Sequence, residues 1–275
     1  MKRRTRKTLL WVGIPIGTIV VLLAAVKIVI EIRDRADPVD VEEIGARFDA
    51  GSQAGGGDSS EWSLETGVWA MRAEGSEFVS IFGGPVHDFP DEVAQSVSNT
   101  ECGQTLTLDI FEQRSDVLEL CRDGDALVLD RFITRHEFVG VKDETVTDDC
   151  RSLRVFWADM ADDVGEEPTS VDCTADGDQS GVVPAKVTVG VEEVGPVDVA
   201  GEPVDAVRIN ITSEVATPED PTHGTYSVDL WLGVDTPVIL RRGLDADVTA
   251  DTPIGDLGFE ENLDAVVDSI DPISD

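Results

Sequence analysis

Apolar and polar residues alternate along several stretches of this chain, and no other feature constrains the fold as strongly. Alternation places the apolar side chains on one face of a β-strand, whereas a helix would repeat every 3.6 residues. The turn sequences Asp123-Gly124 and Ala200-Gly201 separate such stretches. The clearest rows are Leu106, Leu108 and Ile110; Val187, Val189 and Val191; and Val207, Ile209 and Ile211. The pattern predicts a mainly β fold, an antiparallel meander of roughly ten strands.

The second face of this sheet has two possible environments, since it is either exposed to water or curved around a cavity, and alternation alone leaves both open. We expect a curved, half-barrel-like meander. Two segments interrupt it. Arg151 to Glu167 is expected to form a short amphipathic helix or a packed loop, and Thr217 to Gly224 is a loop rich in Pro and Asp.

A run of 22 mostly apolar residues, Leu9 to Ile30, precedes the meander. As a helix it would be about 33 Å long, enough to cross a hydrocarbon core of about 30 Å. Five positive charges within residues 1–8 predict a cytoplasmic N-terminus and place the rest of the chain outside. A cleaved signal peptide is the alternative, since the small residues Ala24 and Ala25 could precede a cleavage site. Cleavage after Ala25 would, however, require a small residue at the −3 position, where the sequence has Leu23.

The expected organisation therefore has four parts. Residues 1–8 are a basic cytoplasmic tail, residues 9–30 a single transmembrane helix in the lipid bilayer, and residues 31–60 a flexible acidic tether rich in Gly and Ser. The tether includes a possible short helix over Val39 to Phe48. Residues 61–275 form the extracytoplasmic antiparallel β domain. This is the arrangement of a single-pass protein of the cell membrane.

Four cysteines occur, all in the exported part: Cys102, Cys121, Cys150 and Cys173. An even number outside the cytoplasm indicates two disulfides, for which three pairings are possible. We favour the sequential pairing, Cys102 with Cys121 and Cys150 with Cys173, because a hairpin would bring the first two together. A zinc site is the alternative, but the sequence has neither a CxxC motif nor a histidine close to the cysteines.

The charge of the exported part is strongly negative. Residues 36–275 hold 13 Lys and Arg against 54 Asp and Glu. This excludes a basic nucleic-acid binder and suggests a surface that stays hydrated in salt water. Attraction to basic proteins or to cell-wall cations is the functional alternative.

The sequence carries no recognisable catalytic, cofactor or metal motif. Nucleophile elbows, P-loops, zincin motifs and dinucleotide fingerprints are absent, and His87, His136 and His223 lie far apart. With 56 carboxylates, acid pairs such as Glu260-Glu261 or Asp148-Asp149 arise by chance. Asp172 to Asp178 and Asp245 to Asp247 have spacings that suit calcium, yet neither matches an EF-hand loop. We therefore expect no enzyme, no cofactor and no metal.

Several short motifs resemble those of uncharacterised exported domains of high-GC Gram-positive bacteria. The motifs are Gly67-Val-Trp69, Asp229-Leu-Trp-Leu-Gly233, Pro237-Val-Ile-Leu-Arg-Arg242 and Thr252-Pro-Ile-Gly-Asp256. The resemblance covers most of residues 62–270. More distantly, the curved meander is similar to the half-barrel of lipoprotein-carrier proteins, which cups acyl chains in that family. Neither resemblance assigns a functional residue to this chain.

These observations lead to one expected function and two alternatives. The chain is expected to present a non-enzymatic β domain that binds an envelope protein or an apolar ligand. The first alternative is a lipid or lipoprotein carrier whose cavity is lined by rows such as Leu106, Leu108 and Ile110 or Val207, Ile209 and Ile211. The second is an extracellular hydrolase, which would need histidines or carboxylates that come together only in the folded chain.

Overall fold

The structure is a computed structural model that describes residues 36–51, 62–80, 86–138, 141–150, 152–178, 181–217, 220, 222–252 and 255–273. The described residues within 36–136 and 143–273 belong to one compact unit, and residues 137, 138, 141 and 142 belong to a separate one. The predicted cytoplasmic tail and transmembrane helix lie outside the described residues, as do residues 31–35 and 52–60 of the predicted tether. Within the described part of the chain, no helix has both the length and the apolar character needed to span a bilayer.

The described residues contain one α-helix, a short 3-10 helix at Met160–Asp163 and fourteen strands. The α-helix is α1 (Val41–Gly51). The strands are β1 (Gly67–Val79), β2 (Val86–Asp88), β3 (Glu92–Asn99), β4 (Gly103–Phe111), β5 (Arg114–Asp123), β6 (Ala126–Phe138), β7 (Val141–Asp148), β8 (Arg154–Trp157), β9 (Thr169–Gly177), β10 (Gly181–Val199), β11 (Glu202–Val215), β12 (Thr222–Gly233), β13 (Ile239–Thr252) and β14 (Gly255–Val267). The mainly β prediction is confirmed.

Twelve of the strands form a closed antiparallel barrel, in which each strand pairs with the strands before and after it along the sheet. The short strands β2 and β8 lie off this ring and pair with β1 and β6. Closure occurs where β1 pairs with β14 along nine residue pairs, from Met71 opposite Val267 to Val79 opposite Phe259. We call this pairing the seam. The structure differs here from the expected half-barrel, because closure depends on strand number and stagger rather than on alternation.

The alternating rows point inward, as the sequence predicts. Leu106, Leu108 and Ile110 are fully buried, and the rows of β10 and β11 are nearly so. The two predicted hairpin turns are also confirmed. Gly124 has a φ of 64° between β5 and β6, and Ala200 and Gly201 have φ values of 52° and 90° between β10 and β11. Two consecutive positive φ values are typical of the tightest hairpin turns, and glycine adopts them without steric cost.

Helix α1 covers part of the outside of the barrel. The Asp40 carboxylate caps the helix by accepting a hydrogen bond from the backbone N–H of Glu43 at 3.0 Å. One face of α1 buries Val41 and Ile44 against outward-facing Val68 of β1 and Ala94 of β3. Residues 36–51 are therefore part of the folded unit, and the short helix predicted over Val39 to Phe48 corresponds to α1. The sequence signal was the apolar pair three residues apart, typical of an amphipathic helix.

The segment from Arg151 to Glu167 folds as strand and turn. It contains β8 and the 3-10 helix at Met160–Asp163, so the amphipathic-helix alternative is wrong. Leu153, Phe156 and Met160 are nevertheless buried in the main core. The apolar residues of this segment have helical spacing in the sequence because a short strand followed by a tight turn also directs every third or fourth side chain into the core.

Candidate functional site

A cluster of charged side chains lies inside the barrel, among residues that would otherwise form an apolar core. Arg114 and Asp116 are two residues apart on β5 and therefore share its inward face with Leu118. Arg114 is 2% exposed and Asp116 is 0% exposed. We call this set of side chains the buried cluster; its members are Glu77, Arg114, Asp116, Tyr226, Arg242 and Glu261.

Arg114 is the centre of the buried cluster because it contacts three of its members. Its Nη1 donates to Asp116 Oδ1, and its Nη2 donates to Glu261 Oε2 at 2.9 Å and to Tyr226 Oη at 3.1 Å. The Tyr226 hydroxyl in turn donates to Asp116 Oδ2 at 2.6 Å. Burial raises the pKa of Tyr226 well above its usual value, with Asp116 adding to the effect. The network thereby links β5 to β12 and β14 through the interior.

Arg242 is held much more loosely than Arg114. It is 0% exposed, and its Nη2 lies 3.7 Å from Asp116 Oδ2. None of its three guanidinium nitrogens makes a hydrogen bond to the described residues. Burial, opposed by the charge of Asp116, lowers the pKa of this guanidinium. A buried cation with so little compensation reduces stability unless internal water reaches it.

Two acids face each other where the barrel closes. Glu77 of β1 lies directly opposite Glu261 of β14, and the two residues are 4% and 2% exposed. Glu77 Oε1 lies 2.9 Å from Nδ1 of His87 on β2. Burial raises the pKa of Glu261 to about 7; Arg114 opposes this, while Asp116 and Glu77 add to it. One oxygen of each acid, Glu77 Oε2 and Glu261 Oε1, is buried without a hydrogen-bond partner among the described residues.

His136 borders the buried cluster from β6, directly opposite Arg114 in the sheet register. Burial, with the positive charge of Arg114 as a second cause, lowers the pKa of His136 well below its usual value. Its ring packs edge-on against Phe259 at 5.0 Å between centroids. A neutral imidazole is therefore the form that suits this position.

Most of the remaining barrel interior is filled by apolar side chains, while the buried amides of Gln95 and Gln104 donate to backbone carbonyl oxygens. A pocket among the inward-facing side chains has a volume of about 10 Å³. Its lining comes from β5, β6, β10, β11 and β12: Leu118, Leu129, Phe132, Val187, Ile211, Ser213, Tyr226 and Val228. Ligand pockets for small molecules usually measure roughly 300–1,000 Å³. This pocket has space for about one water molecule and none for an acyl chain.

A row of arginine and apolar side chains crosses the outer face of the barrel. The members occupy successive register positions on five neighbouring strands: Arg208 on β11, Trp231 on β12, Arg241 on β13, Val266 on β14 and Arg72 on β1. We call it the arginine–tryptophan row. It holds three of the eleven arginines of the exported part.

The arginine–tryptophan row is ordered by stacking and by ion pairs. The guanidinium carbons of Arg208 and Arg241 lie 5.4 and 4.6 Å from the centroid of the Trp231 ring. Each arginine also pairs with a carboxylate: Arg208 with Asp229, Arg241 with Asp264 and Arg72 with Asp268, with shortest distances of 2.8, 2.7 and 2.7 Å. Arg208 also lies 3.7 Å from a Glu193 oxygen. Each arginine of the row is therefore paired with at least one carboxylate, on a domain that is strongly acidic.

The sequence-predicted cysteine pairs are confirmed. Cys102 is bonded to Cys121 and Cys150 to Cys173, with Cα–Cα distances of 4.7 and 4.9 Å. The first bond joins the start of β4 to β5, as the hairpin argument predicted. No free cysteine occurs in the described chain.

The structure does not assemble the three histidines into one site. His87 contacts Glu77 and His136 borders Arg114, but His223 Nδ1 lies 3.0 Å from the Asp220 carbonyl oxygen in a separate loop. No group of three or more His, Cys, Asp or Glu side chains suited to a metal ion occurs among the described residues.

Sequence reasoning missed the buried cluster, although a signal was present. Arg114 and Asp116 continue the inward row of Leu118 and Leu120, and Glu261 continues that of Leu263 and Ala265. A charge at an inward position of an amphipathic strand is unusual because its burial is costly. Its partners were not visible, because they come from strands more than 100 residues away.

Comparison with known proteins gives few matches. No protein-family model matches the chain, and no curated protein matches it. Among solved structures, the crystal structure of the hypothetical lipoprotein YmcC from Escherichia coli (K12) matches with a TM-score of 0.30 and 8% sequence identity. The match covers 70% of this chain and 85% of that chain. Similarity at this level does not assign the chain to a family.

Proposed function

We propose that this chain is a single-pass membrane protein whose β domain faces the outside of the cell and binds another envelope protein through the arginine–tryptophan row. The apolar run at residues 9–30 is the anchor in this proposal, and the basic residues before it set the orientation. The domain acts as a binding module without catalytic activity. The observation that carries the proposal is the row itself.

The composition of the row supports a protein partner. Tryptophan and arginine are the residues most enriched at the centres of protein interfaces, whereas lysine and acidic residues are depleted there. Trp231 and Val266 are half-buried, and the Arg208, Arg241 and Arg72 side chains are 33%, 38% and 60% exposed. Guanidiniums already oriented by carboxylates lose little side-chain freedom on binding.

The charge distribution of the domain also supports binding of the partner at the arginine–tryptophan row. Most of the domain surface repels any protein with a net negative charge, since acids outnumber basic residues about four to one in residues 36–275. In the row, three arginines lie close together, each paired with at least one carboxylate. A partner can approach this patch with less repulsion than it would meet elsewhere on the barrel.

The interior of the barrel does not support the lipid-carrier alternative. A pocket of about 10 Å³ lies far below the volume of a ligand site. Native mass spectrometry of the full chain, released from detergent, is expected to show no stoichiometric acyl-chain adduct. A retained lipid at one copy per chain would favour the carrier function instead.

Site-specific photo-crosslinking in intact cells tests the binding face. A photoreactive amino acid at Val266, within the row, is expected to give one discrete protein adduct, and Trp231→Ala is expected to abolish it. The matched control position is Thr188, a half-buried, outward-facing residue of β10. Equal adducts from both positions, or none from Val266, would contradict the proposal.

A protease-accessibility experiment tests the orientation separately. A C-terminal epitope tag on the full chain is expected to be digested when protease is added to intact cells, while a cytoplasmic marker survives. Digestion only after lysis would place the domain inside the cell and overturn the proposed location.

A further inference from the structure

The seam between the first and last strands of the barrel contains the opposed acids Glu77 and Glu261. Side chains directly opposite each other in an antiparallel pair have Cβ atoms about 4.5–5.5 Å apart. Like charges at that distance are unfavourable, and the cost grows when water is removed. Both residues are more than nine-tenths buried.

The hydrogen bonds of the two acids leave their remaining oxygens without a partner. Glu77 Oε1 contacts the His87 ring, and Glu261 Oε2 accepts from Arg114. Glu77 Oε2 and Glu261 Oε1 are buried and make no hydrogen bond to the described residues. Two carboxylates can only accept hydrogen bonds, whereas a protonated carboxyl also donates one. A single proton on either acid therefore supplies the donor that the pair lacks.

The charges around the pair favour a single proton as well. The charged and titratable groups that face it are His87 from β2, Arg114 and Asp116 from β5, His136 from β6, Tyr226 from β12 and Arg242 from β13. With one proton on the pair and both imidazoles neutral, the two guanidiniums balance one of the two acids and Asp116. With no proton on the pair and His87 neutral, the interior holds an uncompensated negative charge in a region of low dielectric constant.

We propose that Glu77 and Glu261 hold one proton between them, and that this proton locks the seam of the barrel. When the proton leaves to solvent, the two carboxylates repel across the seam, and the pairing of β1 with β14 loosens. Opening of the seam should therefore become easier as the pH rises from the ordinary glutamate pKa of 4.5 to about 7, and should change little above that.

Hydrogen exchange measured by mass spectrometry tests this lock on the full chain in detergent. Exchange of β1 and β14 peptides is compared at pH 6 and pH 8, after correction for the intrinsic pH dependence of exchange. Because proton binding to a carboxyl that titrates near pH 7 is linked to closure, the equilibrium constant for opening the seam should increase about tenfold from pH 6 to pH 8. The β10–β11 hairpin serves as the internal reference, because it lies away from the seam.

Two variants and one control decide the outcome. Glu261→Gln removes the group that titrates near pH 7, so it should hold the exchange of the seam at the low level at both pH values. Glu77→Gln removes the opposed carboxylate but leaves Glu261 buried, so it should weaken the pH dependence without abolishing it. Glu260→Gln is the matched control, because Glu260 neighbours Glu261 but is exposed on the outer face. The proposal is overturned if both glutamine variants keep the pH dependence of the wild type, or if the reference hairpin responds as strongly as the seam. Should one variant fail to fold, the other is still compared with the wild type.

Discussion

Arg241 and Arg242 are neighbours in the chain but lie on opposite faces of β13. The Arg241 guanidinium stacks over Trp231 on the outside at 4.6 Å, whereas Arg242 is 0% exposed inside the barrel. Successive side chains of a strand point to opposite faces. Adjacent positions of the same residue type therefore belong to the proposed binding face and to the buried cluster.

The two buried arginines should differ in their contribution to stability. Arg114→Met leaves Glu261 buried without its hydrogen-bond donor and Asp116 with only the Tyr226 hydroxyl, so it should lower the free energy of unfolding by about 3–5 kcal/mol. Arg242→Met removes a cation that makes no hydrogen bond, so its loss should be smaller by about 2 kcal/mol. Urea unfolding of the full chain, followed by tryptophan fluorescence, measures both. Equal losses would show that Arg242 has partners equivalent to those of Arg114.

The stacking on Trp231 should be stronger for Arg241 than for Arg208. The two guanidinium carbons lie 4.6 and 5.4 Å from the ring centroid, and partly exposed cation–π pairs contribute about 0.5–1 kcal/mol. Double-mutant cycles with Trp231→Leu and with Arg241→Met or Arg208→Met give the two coupling energies. The coupling energy of the Arg241 pair should be the larger one. A larger value for Arg208 would contradict the observed geometry.

The two disulfides should be reduced in a fixed order. Cys102 is exposed and Cys121 is half-buried, whereas Cys150 and Cys173 are 0% and 6% exposed. A thiolate reductant must reach a sulfur atom, so Cys102–Cys121 should open first under native conditions. Alkylation of samples taken during reduction, followed by peptide mass mapping, gives the order. Simultaneous loss of both bonds would indicate that reduction follows global unfolding.

Removing either bond should also reduce stability. Each closes a loop of about 20 residues, which corresponds to about 3 kcal/mol in the chain-entropy model. The double variants Cys102→Ser/Cys121→Ser and Cys150→Ser/Cys173→Ser should both unfold at lower urea concentration than the wild type. The second should lose more, because it also places two hydroxyl groups in the core.

His136 should make the fold sensitive to acid. Its pKa is lowered in the folded chain, so below the ordinary value of 6.5 the unfolded chain binds a proton that the folded chain excludes. The contribution of His136 to stability should therefore fall as the pH drops below about 6.5, opposite in sign to that of Glu261. His136→Gln should reduce this loss, while His223→Gln, a change in a loop outside the cluster, should retain it. Urea unfolding at pH 5 and pH 7 measures the difference, and equal acid sensitivity in all three proteins would exclude His136 as the cause.

Much of the fold could be predicted from local pattern. The row Leu106, Leu108 and Ile110 is inward because alternation fixes which side chains share a face, and Gly124 forms a turn because few residues tolerate its positive φ. The Cys102–Cys121 pair could be predicted because a hairpin brings residues at its two open ends together, and the second pair then followed from the two cysteines that remained. Residues 36–51 were harder, since α1 is stabilised by contacts with β1 and β3 rather than by its own sequence.

The sequence by itself determined the antiparallel strands, their inward faces, the disulfide pairing and the acidic charge of the domain, because each follows from neighbours along the chain. Only the tertiary structure decided that the meander closes, since closure brings β1 against β14, nearly 200 residues away. The same closure placed Glu77 opposite Glu261 and brought Arg208, Trp231 and Arg72 into one row. Contacts between distant strands depend on register and stagger, and no local pattern encodes these for the whole barrel.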